Sequence, residues 1–187
     1  MDPFEYVMVL TSLILGLGIT QILTGVANLI LRMDTVKFYL PHTLWMIVTF
    51  GFHIQEWWFD YEYATSVKIW KIMDFLFLVL YPIILFILAR LLFPSSYSDQ
   101  DIDLKKFYYT NYRKIFLVSI FLPLVSIPQN ILISGIPFTE QIIQIGLAVL
   151  FLFFLLVKKP HEYLHYAFAL LMIVIALGYL LVYDPVL

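Results

Sequence analysis

Six stretches, near residues 5–31, 40–59, 72–93, 113–133, 138–157 and 162–183, are mostly apolar over about 20 residues or more, the length that crosses a bilayer core as a helix. These runs constrain the chain more than any motif in it. A soluble domain of 187 residues has no interior large enough to hide them: 63% of the side chains are hydrophobic and only 13% are charged, and the charges fall mostly between the runs. The expected fold is therefore all-α, a polytopic membrane protein forming a bundle of about six transmembrane helices. It is expected to be a single domain over 1–187, because the linkers are short and carry no separate soluble unit. Asp2 and Glu5 stand where a secretory signal needs basic residues, and no small-residue cleavage site follows, so the first run is expected to be kept.

The basic residues divide unevenly between the two sets of connections. Arg32, Lys37, Arg90, Lys105, Lys106, Arg113, Lys114, Lys158 and Lys159 fall on one side, and Lys68 and Lys71 on the other. The bias of Lys and Arg toward the cytoplasm then puts both termini on the outer side, periplasmic or extracellular for an inner-membrane protein. Trp45 is expected near the inner interface and Trp57, Trp58 and Trp70 near the outer one, where amphipathic rings prefer to sit. Residues 60–71 and 94–112, mixed charged and aromatic, read as interfacial segments. Within the second, Lys105, Lys106, Arg113 and Lys114 are candidates for contact with anionic lipid. Asp99, Asp101 and Asp103 lack the glycine and closing glutamate of a calcium loop, and read better as caps of a helix start.

With a net charge of −2 and no long basic run, nucleic acid is not an expected partner. The absence of cysteine excludes disulfides and thiolate metal sites. The lipid bilayer is the expected surrounding, and a homo-oligomer is compatible with the first helix. There Gly18, Gln21, Gly25 and Asn28 share one arc of about 80° and Ser12, Gly16, Thr20 and Thr24 form a second small stripe. Small faces serve close helix packing, with pore lining as the alternative.

The second helix carries the sharpest polar signal. His42, Trp45, Thr49, His53, Glu56 and Asp60 recur every three or four residues and so share one face. Counting from Pro41, His53 lies about 18 Å and Glu56 about 22 Å into a core about 30 Å thick. An ionisable group at that depth must face protein or water, so His53 is a candidate for function or for a hydrogen-bonded structural role. Glu56 either tunes His53 from one turn away or snorkels to the outer interface. Pro123 and Pro128 predict a kink or break in the fourth helix, freeing backbone groups near Ser126, Gln129 and Asn130. Gln144 and Tyr81 fall at similar depth. Together these residues define a candidate polar vestibule with His53 at its floor, set against local pairing of each group.

Residues 161–165 read HEYLH, the H-E-x-x-H spacing that lets two histidines one helical turn apart bind zinc. His161 and His165, with His42 from the same side, make a metal-dependent enzyme the third functional reading. The motif follows Lys-Lys-Pro at a helix start, where Glu and His are ordinary, so no cofactor is expected, and zinc is kept as a testable alternative.

The segments FEYVMVLTSLILGLGITQIL, HIQEWW, YPIILFILARLLFP and DLKKFYYTNYRKIF together resemble a group of small multi-pass bacterial membrane proteins without established function, over about the first 115 residues. The resemblance implies a membrane architecture and a bacterial source, and transfers no site. The leading functional expectation is a channel or transporter subunit for a small ion, proton or polar solute. A noncatalytic scaffold or lipid-binding protein is the alternative.

Overall fold

The computed structural model describes residues 3–66, 71–95, 101–158 and 160–182. Among these the chain is helical almost throughout: α1 (Pro3–Leu31), α2 (Leu40–Ser66), α3 (Ile72–Leu91), α4 (Leu104–Ser119), α5 (Phe121–Leu132), α6 (Ile142–Leu156) and α7 (Glu162–Val182). A two-residue parallel bridge joins β1 (Val36–Lys37) to β2 (Ile102–Asp103), reinforced by a Lys37–Asp101 ion pair at 3.7 Å. Three helices are long and apolar enough to cross a membrane: Glu5–Leu31, Ile72–Leu91 and the α4–α5 rod Leu104–Leu132.

The remaining helices differ from the expected six equivalent spans, each for its own reason. α2 has the length, at 27 residues, but its polar face lowers its mean hydropathy, an average blind to which way a side chain points. α6 has 15 residues, about 22 Å against a core of about 30 Å. α7 is apolar over Glu162–Gly178, a similarly short run.

The fourth rod begins earlier than the apolar pattern suggests. Asp103 accepts a hydrogen bond from the Lys106 N–H at 2.9 Å and so caps α4. From Leu104 onward the segment expected to lie along the interface forms the first turns of that helix. At 29 residues the rod is about 43 Å long, more than the thickness of a bilayer core of about 30 Å, and its charged residues lie toward its start. The other expected interfacial segment starts as the end of α2, which runs to Ser66; residues 67–70, including Trp70, lie outside the described residues. The expected interruption of the fourth span falls at Ile120, ahead of Pro123, because proline has no N–H to offer the Ser119 carbonyl. Ile120 keeps helical torsions, so the ladder is broken without the chain unwinding. Gly135, at φ 69°, then turns the chain after α5 and lets the Ile136 N–H reach the Asn130 carbonyl at 2.9 Å.

Packing brings α3 against α1, α2, α4 and α5, and α2 against α1, α3, α4 and α7. Gly25 admits Phe93, whose ring occupies the space a side chain at Gly25 would need. Leu15, Ile22 and Leu29 of α1, Leu85, Leu88 and Leu92 from α3 and its end, and Phe116, Phe151 and Phe168 form one continuous core. The outside is also apolar: Leu13 and Leu17 on α1, Ile47 and Ile54 on α2, Leu80 and Ile87 on α3, Val149 and Leu152 on α6, and Val174 and Leu177 on α7 are all exposed. Soluble monomers do not carry an apolar belt on every helix. The second small stripe of α1 joins this outer surface. Gly16, Thr20 and Thr24 are exposed, and nothing lies within 4 Å of the Cβ position of Gly16.

Candidate functional site

Among the described residues, ten polar or charged side chains are buried inside an otherwise apolar core. All six residues of the α2 polar face are buried: His42, Trp45, Thr49, His53 and Asp60 are at most 1% exposed and Glu56 is 6% exposed. They are in place because a helix repeat of three and four residues keeps them on one side, and that side faces α1, α3, α4 and α7. Trp45 is thus not an interfacial anchor. Its indole stands among Phe116, Phe151 and Phe168, with ring centroids 5.2, 6.0 and 5.4 Å away, while Trp57 is half exposed.

Backbone carbonyls, which only accept, fix the neutral tautomers of two histidines. His53 Nδ1 donates to the Thr49 carbonyl at 2.7 Å, one turn earlier, leaving Nε2 as a lone-pair acceptor pressed against α1 at Gly18. A methyl group at Gly18 would overlap that nitrogen. His42 Nε2 donates across to the Leu92 carbonyl at 2.8 Å and ties the start of α2 to the end of α3.

Glu56 and Asp60 lie one turn apart beyond His53. The Thr11 hydroxyl of α1 sits beside Asp60 while donating to the Met8 carbonyl at 3.2 Å. No hydrogen bond of good geometry reaches Glu56 Oε1 or either oxygen of Asp60, and among the described residues no Lys or Arg pairs with either carboxyl. Buried carboxyls so poorly served are costly in a fold that uses them only for structure.

The other vestibule candidates are arranged differently. Gln129 is buried and donates to the Phe77 carbonyl of α3 at 3.0 Å. Asn130 donates to Gln141 Oε1 at 2.8 Å, tying α5 to the start of α6. Ser126, Tyr81 and Gln144 are half-buried. These contacts stitch α3, α5 and α6 together near one end of the bundle, whereas His53 meets Gly18 and Asp60 lies beside Thr11, both on α1.

At the opposite, basic end, an aromatic cluster closes the bundle. Tyr108 Oη and His165 Nδ1 share a 2.9 Å hydrogen bond, the Tyr39 and Tyr109 hydroxyls share one of 3.2 Å, and Tyr112 packs on His165 with centroids 4.9 Å apart. Burial and the neighbouring Tyr109 push the Tyr39 phenol above its ordinary range. Of the anionic-lipid candidates, Lys105 pairs with Glu162 at 2.8 Å, Arg113 donates to the Val157 carbonyl at the end of α6, and Lys114 donates to Asn111; Lys106 is exposed.

The zinc motif does not assemble as a helical pair. α7 begins at Glu162, so His161 lies before the helix, exposed and stacked on Tyr163, whereas His165 points inward to Tyr108. His42 is held by Leu92. Among the described residues no three His, Asp or Glu side chains are placed to hold a metal ion.

Comparison with protein-family models, with curated proteins and with solved structures gives no match. The buried α2 face is the feature of the molecule that points to function. Its spacing is visible in the sequence. The seating of His53 on Gly18 and the Tyr108–His165 pair are not, because each depends on a second helix.

Proposed function

We propose that the chain is a six-span membrane channel or transporter subunit for a small ion, proton or polar solute, with its pathway along the polar face of α2. One observation carries this reading: Glu56 and Asp60 are buried without a basic partner among the described residues, inside a bundle whose outer faces are apolar. Ionisable groups held inside a membrane bundle mark ion and proton routes more often than structure. On this reading α2 spans because lipid meets Ile47 and Ile54 rather than its polar face. The short α6 spans with its flanking turns or with local thinning of the bilayer.

The expected host is a bacterial inner membrane, following the resemblance of the first 115 residues, with both termini outside. The native chain has no cysteine, so single cysteines report sidedness cleanly. In intact spheroplasts, Ser134→Cys is expected to react with a membrane-impermeant maleimide and Thr35→Cys to react only after lysis. The reverse pattern would invert the topology, and equal labelling of both would rule out the alternating spans.

The functional test is flux into sealed vesicles holding the purified full chain. Flux of a small ion, proton or polar solute is expected above that of protein-free vesicles, and loss of it is expected in His53→Ala. Absence of flux, or flux unchanged in that variant, overturns the pathway.

The exposed Gly16–Thr20–Thr24 stripe favours a second reading, a noncatalytic membrane scaffold that assembles through α1. Native mass spectra showing stable oligomers or retained lipid, without flux, would favour it.

A further inference from the structure

A pathway along α2 must select what it passes, and three observations limit the choice. The first is space. Gly18 closes on His53 so tightly that a methyl group would not fit, and nearer the basic end Trp45 is sealed by three phenylalanine rings. Neither level leaves a passage for a hydrated ion. The second is coordination. A cation stripped of water needs several convergent donors, and no three His, Asp or Glu side chains converge in that way among the described residues. The third is the kind of group present. Asp60, Glu56 and His53 occupy successive turns of one buried face, and the Thr49 carbonyl fixes the His53 tautomer so that Nε2 has its lone pair free. A proton needs neither width nor a coordination shell, only neighbouring groups that accept and release it.

We infer, resting on the transport reading above, that the species handled is the proton, held in turn by Asp60, Glu56 and His53. A proton accepted by the Asp60 carboxylate forms the acid, and transfer through an intervening water to the Glu56 carboxylate restores Asp60, whose oxygens have no direct hydrogen bond of good geometry. Glu56 then gives the proton, again through water, to His53 Nε2, which regenerates its carboxylate and leaves an imidazolium with N–H on both nitrogens. The imidazolium gives its Nδ1 proton to a water molecule as hydronium, which leaves a neutral ring protonated at Nε2, and water-mediated exchange of that proton to Nδ1 restores the starting tautomer held by the Thr49 carbonyl. The buried Thr49 hydroxyl and the Tyr108–His165 pair continue the polar groups toward the basic end. From α1 the Thr11 hydroxyl sits beside Asp60. On α3 the ionisable side chains are Asp74, which accepts from the Lys71 N–H as a helix cap, the half-buried Tyr81, and the exposed Arg90.

The test uses the full chain in liposomes under an imposed potassium-diffusion potential, with a trapped pH dye in one set and a sodium-sensitive dye in another. Asp60→Asn, Glu56→Gln and His53→Gln keep size while removing the exchangeable site, and gel filtration and circular dichroism check that each variant folds. Proton uptake without sodium uptake is expected. In the variants it should fall by about a hundredfold, the lower end of what one positioned proton-transfer group contributes. Sodium flux without proton flux would overturn the inference and leave the transport reading standing. Absence of both fluxes would overturn the two together. Proton flux undiminished in all three variants would remove these residues from the route.

Discussion

Replacing Trp45 with alanine is expected to lower the stability of the folded bundle by about 3 kcal/mol, the lower end of the usual penalty for truncating a buried large aromatic side chain. The indole is 1% exposed and contacts the rings of α4, α6 and α7, so its loss opens a cavity where four helices meet. On the membrane reading the lower end applies, because lipid or detergent replaces water around the separated helices, which removes most of the transfer contribution and leaves the lost packing. Thermal or denaturant unfolding in mild detergent, followed by tryptophan-independent circular dichroism, measures the change. If Trp45 sat instead at the inner interface, as its position in the sequence suggests, the substitution would change stability by only a few tenths of a kcal/mol, about the size of an ordinary surface change.

The second large effect is expected at Gly18. Valine there should destabilise the fold by about 2–3 kcal/mol, because its side chain needs the volume held by the His53 ring. The ring cannot simply retreat, since its Nδ1 is held by the Thr49 carbonyl at 2.7 Å. The double variant Gly18→Val/His53→Ala should recover a large part of the loss, as two residues in contact are non-additive. Penalties that merely add, or a Gly18→Val protein as stable as the parent, would show that α1 and α2 do not approach at this level. Flux measured on the same samples separates a blocked pathway from an unfolded one.

Much of the candidate site was legible because helical spacing is a local property. The recurrence of His42, Trp45, Thr49, His53, Glu56 and Asp60 identifies a polar face whatever surrounds it. The apolar runs likewise locate most helices. Other readings required neighbours. Trp45 looked interfacial because tryptophan favours that depth, yet three phenylalanines from distant parts of the chain enclose it. HEYLH had zinc-ligand spacing, but a helix starting at Glu162 removes His161 from the pair. The start of α4 was obscured because residues 101–112 are polar and aromatic, although the Asp103 cap was readable as chemistry. Gly16, Thr20 and Thr24 have the small side chains of a helix-packing stripe, and only the fold shows that this stripe lies on the outer surface.

The sequence by itself determined an apolar, helical chain with one strongly polar helix face, because hydropathy and periodicity belong to single segments. Only the tertiary structure decided that this face turns inward, that His53 meets Gly18, and that Gln129 and Asn130 bind across α3 and α6 rather than joining it. Those outcomes depend on how helices far apart in the chain rotate and pack against one another, and no local pattern fixes that rotation.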